Sequence, residues 1–198
     1  MQRAVKRLLD ITGAALALLI LSPLLLALAL LVRFRMGAPI FFRQQRIGLN
    51  ERPFGLIKFR TMLNGDAPDA ARLTRFGQWL RRTSLDELPE FWNILTGDMS
   101  FVGPRPLLPR YLPFYSAREA TRHHMRPGLT GLAQVNGRNA ASWDDRLRLD
   151  ADYVEQFSLG LDFAILCRTA RIVLGQHGIS AEGEATMQAL DIVRGAAS

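Results

Sequence analysis

Asp86 and Glu87 are adjacent carboxylates in the run Ser84-Leu85-Asp86-Glu87-Leu88-Pro89. Proline lacks a backbone donor and fits best within the first turn of a helix. A helix is therefore predicted to start within residues 85–88. Both acids then sit at its positive end, where unpaired N–H groups and the macrodipole favour negative charge. Ordinary capping explains such a placement, and a reciprocal capping box from Ser84 to Glu87 also fits. The chemical reading is an ionised carboxylate that acts as nucleophile or metal ligand, leaving its neighbour the other task.

Carboxylate chemistry on a phosphate needs fixed positive charge, and the planar arginine fork supplies it best. Of the 25 basic residues only Lys6 and Lys58 are lysine. Lys58 and Arg60 alternate with Ile57 and Phe59 on an apparent strand and would share one face. Arg105 leaves from a backbone held between Pro104 and Pro106, and Arg138 follows Gly137 in a loop able to approach a ligand. Taken singly, each arginine is more simply a solvated surface group. His123 and His124, being adjacent, diverge on a helix and make a poor metal site. Cys167 reads as a small helix hydrophobe, and a single cysteine excludes a disulfide scaffold or a multi-cysteine metal site. The sequence has no Walker loop, Rossmann glycine fingerprint or Gly-x-Ser-x-Gly elbow.

The elements that must position these groups begin with an uncharged run, residues 11–32, containing ten leucines. As a helix it would reach about 33 Å, against a hydrocarbon core of about 30 Å. Its leucines favour insertion by about 3–6 kcal/mol. A cleaved signal fits poorly, because its apolar core is shorter, about 7–15 residues, and precedes a polar chain. Here Arg33, Phe34 and Arg35 follow directly. Ser22 and Pro23 interrupt the middle, and the proline would cost a straight helix about 3 kcal/mol. Arg3, Lys6 and Arg7 flank one end; Arg33, Arg35, Arg43 and Arg46 flank the other. The positive-inside tendency thus pulls both ends to the cytoplasm. A kinked hairpin satisfies both pulls, and a single span stays open on these grounds.

A chain of 198 residues suits one catalytic-sized domain plus an appendage, and 48% apolar content excludes a disordered polar tail. A net charge of +7 calls for an anionic partner: nucleic acid, phosphorylated ligand or lipid. Residues 33–82 hold eleven basic residues and three acidic ones, so most of the charge follows the membrane run. Much of it is expected to face lipid phosphates. Residues 40–42 and 54–59 read as short strands around a polar connection. Residues 69–82 read as an amphipathic helix, and residues 85–95 as a second. Residues 109–115 are aromatic and proline-containing, suited to a headgroup boundary. Residues 126–139 read as a turn-rich loop. Ser142 is expected to cap a helix reaching about Gln156, with Asp145 at the reciprocal position. A last helix covers residues 161–174, and residues 181–198 read as a loose tail.

Together these segments resemble the small monotopic polyprenyl-phosphate phosphoglycosyl transferases, the bacterial sugar transferase family. The resemblance runs from about Val5 to about Glu182. It rests on Ser22-Pro23, FRQQRIGLN (residues 42–50), IKFRTM (57–62), TSLDELPEFWNILTGDMSFVGPRP (83–106), RPGLTGLAQVNGRN (126–139) and DADYV (150–154). It implies transfer of a sugar 1-phosphate from a UDP-sugar to undecaprenyl phosphate with release of UMP, the first membrane step of glycoconjugate or exopolysaccharide synthesis. Asp86 is implied as the nucleophile that carries a covalent phosphosugar, Glu87 as its partner, and Mg²⁺ as a cofactor at Asp86 and Glu87. Lys58, Arg60, Arg105, Arg138 and Asp150 are implied substrate-binding positions, Asp150 on the resemblance alone.

The implied fold is α/β and mostly helical, with a re-entrant helix-break-helix hairpin over residues 1–36, broken at Ser22 and Pro23. A cytoplasmic catalytic domain with amphipathic interfacial helices and a short β-hairpin covers residues 37–180, and the tail residues 181–198. Implied partners are the UDP-sugar, undecaprenyl phosphate and anionic lipids of the bacterial inner membrane, not nucleic acid; a homodimer is compatible. With no long bundle of membrane helices ahead of the catalytic unit, the sequence resembles the minimal members. The short stretch between Thr61 and Arg72 leaves sugar-side contacts open. Two other classes stay open on the residues themselves. One is a non-catalytic membrane module binding anionic lipid or nucleic acid through residues 33–82, with steep salt dependence and no role for Asp86. The other is a Mg²⁺-dependent phosphohydrolase that passes the phosphosugar to water.

Overall fold

The computed structural model describes residues 1–136, 142–175 and 188–195. Helices α1 (Gln2–Ile20) and α2 (Ser22–Met36) meet at Leu21 with a 64° bend. The bend has a local cause. Pro23 has no N–H to return to the Leu19 carbonyl, and the Ser22 hydroxyl donates to that carbonyl instead, at 2.8 Å. Among the described residues no single helix is long and apolar enough to cross a membrane; the bent pair reaches that length and composition together.

Polar groups fasten the start of α1 to the rest of the chain. Buried Lys6 pairs with Asp162 at 2.6 Å. Arg7 donates to the carbonyls of Ile94 and Leu95 at 2.7 and 2.9 Å. Asp10 accepts from the Ser100 hydroxyl at 3.0 Å and from the Phe101 N–H at 3.1 Å. Lys6 and Arg7, read in the sequence as charges flanking the apolar run, are therefore internal anchors, whereas Arg3 is exposed.

Strands β1 (Phe41–Ile47) and β2 (Pro53–Phe59) form an antiparallel hairpin with Phe41 opposite Phe59 and Ile47 opposite Pro53. The first strand runs well past the expected residue 42 because β2 offers it a partner along its whole length. Phe54 and Leu56 pack with Ala14 of α1 and with Ile94 and Met99. Phe59 packs with Leu28, Val32 and Met36 of α2 and with Leu80. The bent helix pair and the hairpin thus share two cores.

The helix expected over residues 69–82 is broken. Leu73 bridges to Met62 between α3 (Asp69–Arg72) and α4 (Arg75–Arg82), and the Thr74 hydroxyl caps α4 by accepting the Gly77 N–H at 2.9 Å. A Cβ at Gly77 would lie 1.8 Å from the Thr61 carbonyl oxygen, so glycine lets α4 lie against the chain leaving β2. The next expected helix is also divided, into a 3-10 turn (Leu85–Glu87) and α5 (Glu90–Thr96).

Strand β3 (Ser100–Val102) pairs in parallel with β4 (Gly128–Thr130), so the expected turn-rich loop contains a strand and then α7 (Leu132–Asn136). A Cβ at Gly103 would lie 2.2 Å from the Arg126 carbonyl oxygen; this close approach seats the Gly103-Pro104-Arg105-Pro106 segment. A short α6 (Ala117–Ala120) precedes α8 (Trp143–Glu155) and α9 (Leu159–Leu174). Ser142 caps α8 as expected, accepting the Asp145 N–H at 3.1 Å.

Two expectations change. The Pro109–Phe114 segment is a 3-10 helix whose Tyr111 is buried with Leu147 and Leu190 in a core cluster, not presented to a headgroup boundary. Within the expected loose tail, Leu190–Gly195 forms a helix in which Leu190 is fully buried and Arg194 pairs with Glu119 at 2.7 Å. The fold is mostly helical, with two small two-stranded pairings among the described residues.

Candidate active site

A cavity of about 820 Å³ is lined by β2, the Leu85–Glu87 turn, Arg105 and α8. Eight basic side chains line it against four acidic ones, which suits an anionic ligand. Its centre is the turn carrying the paired acids. Ser84 takes a left-handed conformation, φ 55° and ψ 18°, with no side-chain cap bond, so the capping box does not form. Leu85 and Leu88 pack on the α2 cluster, which holds the turn from the side of the bent helix pair. Asp86, between them, is buried at 7% exposure and lines the cavity.

Glu87 belongs to a charge cluster. Lys58 Nζ lies 2.7 Å from Glu87 Oε1 and 3.3 Å from Glu90 Oε1, and Arg105 Nη2 lies 3.7 Å from Glu87 Oε1. Burial, and then the neighbouring Glu87, pushes the Asp86 carboxyl up to about 6, against the opposing pull of Lys58 and Arg81. Burial likewise raises Glu90 above the usual carboxylate range, with Lys58 opposing. For Lys58, burial draws the ammonium down, but Glu87 and then Glu90 outweigh it and hold it above its ordinary value. Asn93 sets the spacing of the cluster: it accepts the Ile57 N–H at 3.1 Å and donates to the Gly55 carbonyl at 2.9 Å, tying α5 to β2.

Over residues 1–176 the chain matches the bacterial sugar transferase family. The chain belongs to that family. It is 47% identical over 189 residues to a Bacillus subtilis (strain 168) protein named "Uncharacterized sugar transferase EpsL", covering 92% of this chain and 94% of the other. It is 43% identical over 185 residues to the UDP-glucose:undecaprenyl-phosphate glucose-1-phosphate transferase of Caulobacter vibrioides, covering 85% of this chain and 69% of that one. It is 39% identical over 192 residues to the UDP-N-acetylgalactosamine-undecaprenyl-phosphate N-acetylgalactosaminephosphotransferase of Aeromonas hydrophila, covering 88% and 44%. The last two names share an acceptor and differ in the sugar. This sugar transferase is thus an enzyme, which sets aside the purely binding module.

The remaining expected positions fall into place around the transferase cavity unequally. Arg105 lines it beside Glu87. Arg60 also lines it, yet its guanidinium donates to the carbonyls of Met36 and Gly37 and to Asn64, so it clamps the end of α2. Asp150 is buried at the cavity wall and receives Arg122 Nη2 at 2.6 Å; the same nitrogen donates to the Arg105 carbonyl at 2.6 Å. Burial raises the Asp150 carboxyl, opposed by Arg122. Arg138 lies outside the described residues.

Glu90, Asn93 and Arg122 were not expected. Glu90 had a signal, since it follows Glu87 at a spacing of three and such positions share a helix face. Arg122 had none, because its partners Arg105 and Asp150 lie 17 and 28 residues away. No group of three or more metal-ligating side chains occurs among the described residues. Asp86 and Glu87 still fit Mg²⁺, which keeps waters and substrate phosphates as most of its ligands. The upward-pushed Asp86 beside a second carboxylate is a place where added positive charge is favourable.

Proposed function

We propose that this transferase moves a sugar 1-phosphate from a UDP-sugar to undecaprenyl phosphate and releases UMP. The observation that carries this reading is buried Asp86 beside the Lys58–Glu87–Glu90 cluster, in a basic cavity reached by Arg105. A carboxylate oxygen of Asp86 attacks the phosphorus that bears the sugar. The bond from that phosphorus to the UMP oxygen breaks, and UMP leaves with the electron pair. An oxygen of undecaprenyl phosphate then attacks the same phosphorus, and Asp86 departs as a carboxylate. Covalent storage lets one side chain serve a soluble donor and a membrane acceptor in turn. Lys58 and Arg105 face the phosphate charge that develops. Mg²⁺, held by Asp86 and Glu87, supplies further charge neutralisation of the diphosphate when bound.

The helix pair is read as a re-entrant hairpin at the cytoplasmic leaflet of the inner membrane. Support comes from its two ends, which one domain holds: Lys6 on Asp162, and the Met36 and Gly37 carbonyls on Arg60. A span would separate those ends by about 30 Å of hydrocarbon. The testing experiment incubates purified protein with Mg²⁺, undecaprenyl phosphate and a panel of UDP-sugars, and measures UMP. At least one donor is expected to release UMP, and none to do so with Asp86→Asn. Undiminished activity in that variant would sink the nucleophile assignment. Product that forms equally without the lipid phosphate would point to hydrolysis instead.

A further inference from the structure

Trp143, Arg146, Leu147 and Asp150 all line the cavity. Their spacing of three, four and seven residues from Trp143 puts them on one face of α8. The Asp150 end of that face is tied to the catalytic cluster. Arg122 joins Asp150 to the Arg105 carbonyl, each at 2.6 Å, and Arg105 lies 3.7 Å from Glu87. Two turns of helix carry Trp143 about 10 Å along the axis from Asp150. Asp86 lines the same cavity, and a nucleoside diphosphate whose outer phosphate lies at Asp86 carries its base away from it, beyond an inner phosphate and a ribose.

Trp143 is held as a platform. Its Nε1 donates to the Gln188 carbonyl at 2.9 Å, and its ring meets Tyr111 edge-on at 5.5 Å between centroids. The Arg146 guanidinium lies 5.8 Å from its ring centroid. Behind it the Leu190–Gly195 helix closes the wall: Leu190 packs with Tyr111 and Leu147, and Arg194 donates to the Phe114 carbonyl at 2.7 Å. The opposite end of the cavity adjoins the membrane hairpin, through Arg60 and the carbonyls that end α2. A lipid phosphate approaches from that end, which leaves the α8 end for the soluble donor.

A fixed indole with a guanidinium beside it matches a pyrimidine, which offers a π-face for stacking and carbonyl oxygens that accept hydrogen bonds. The geometry points to the first turns of α8 as the nucleobase subsite, with Trp143 stacking on the ring and Arg146 donating to its carbonyl oxygens. This assignment rests on the UDP-sugar reading and adds where the base is recognised.

The test measures UMP binding to the full chain in detergent micelles by calorimetry, for wild type, Trp143→Ala, Trp143→Phe and Arg146→Gln. Stacking on an aromatic side chain contributes roughly 5- to 150-fold in affinity, so Trp143→Ala is expected to weaken UMP by that factor. Trp143→Phe retains a stacking face and is expected to keep most of the affinity, and Arg146→Gln to lose part of it. The KM for undecaprenyl phosphate is expected to stay at the wild-type value in Trp143→Phe and Arg146→Gln. The assignment is overturned if Trp143→Ala binds UMP like wild type, or if the alanine and phenylalanine variants lose it equally. It is also overturned if the variants raise the KM for undecaprenyl phosphate while UMP affinity is unmoved. A wild type that neither binds UMP nor releases it from any UDP-sugar overturns the UDP-sugar reading as well.

Discussion

Replacing Lys58 with methionine keeps an unbranched stem and removes only the ammonium. Lys58 Nζ lies 2.7 Å from Glu87 and 3.3 Å from Glu90. At an effective dielectric constant of about 20, those separations correspond to attractions of about 6 and about 5 kcal/mol. The desolvation of buried Glu90 and half-buried Lys58 and Glu87 offsets much of this, and removing one partner of a buried pair costs about 3–5 kcal/mol. Arg105, 3.7 Å away, keeps Glu87 partly compensated, so Glu90, whose side chain is 4% exposed, bears most of the penalty. Without Lys58 the Glu90 carboxyl moves further above its unfolded pKa value. Groups raised in this way lose stability as pH rises through the folded value. The deficit of Lys58→Met is therefore smallest near about pH 5 and largest near about pH 8. Adding Glu90→Gln removes the orphaned charge and is expected to recover about 1–3 kcal/mol. Denaturant unfolding in detergent, followed by tryptophan fluorescence at both pH values, measures this. A deficit under about 1 kcal/mol at the higher pH, or one that grows on acidification, would refute the reasoning.

Four further outcomes are expected. Asp86 is held at about 6 instead of 3.8, so wild type loses stability as pH rises between those values. Asp86→Asn is then more stable than wild type above pH 6 by up to about 3 kcal/mol while releasing no UMP, which thermal unfolding and a UMP assay check together. Wild-type single-turnover UMP release is expected to fall about tenfold per pH unit below that pKa, and a flat profile would contradict an ionised nucleophile. Gly77→Ala drives a Cβ into the Thr61 carbonyl and is expected to destabilise by about 1–3 kcal/mol in the same unfolding assay. Lys6→Met strands buried Asp162 and is expected to free α1, read as faster limited proteolysis near residue 6 that Lys6→Met with Asp162→Asn partly reverses.

Much of the site was legible because its chemistry is local. The Asp86-Glu87 pair, the proline-flanked Arg105 and Lys58 on a strand are each recognisable within a few residues, and all three line one cavity. Local pattern failed where a distant partner competed. The helical spacing of residues 69–82 gave way at Leu73, because Met62 offered a bridge and Thr74 a cap. Positive charge at Lys6 and Arg7 suggested a cytoplasmic flank of the apolar run, yet Asp162 and the α5 carbonyls claimed both side chains. Tyr111 looked interfacial until Leu147 and Leu190 closed over it.

Sequence alone determined the break in the helix pair, since Pro23 cannot donate to Leu19 in any fold, and it determined that two acids stand together at the head of α5. It also determined the family, through motifs that span most of the chain. Only the tertiary structure decided how those acids differ. A carboxylate's surroundings are set by what lies within a few ångströms in space: Asp86 is buried in the cavity wall beside Glu87, which raises it, while Glu87 meets Lys58 and Arg105. The same holds for Arg60 and Arg122, which the chain spells identically and the fold turns to different work: one clamps the end of α2, the other sets the Arg105 backbone. Which charges meet is a property of packing, and packing brings together residues that the linear order keeps apart.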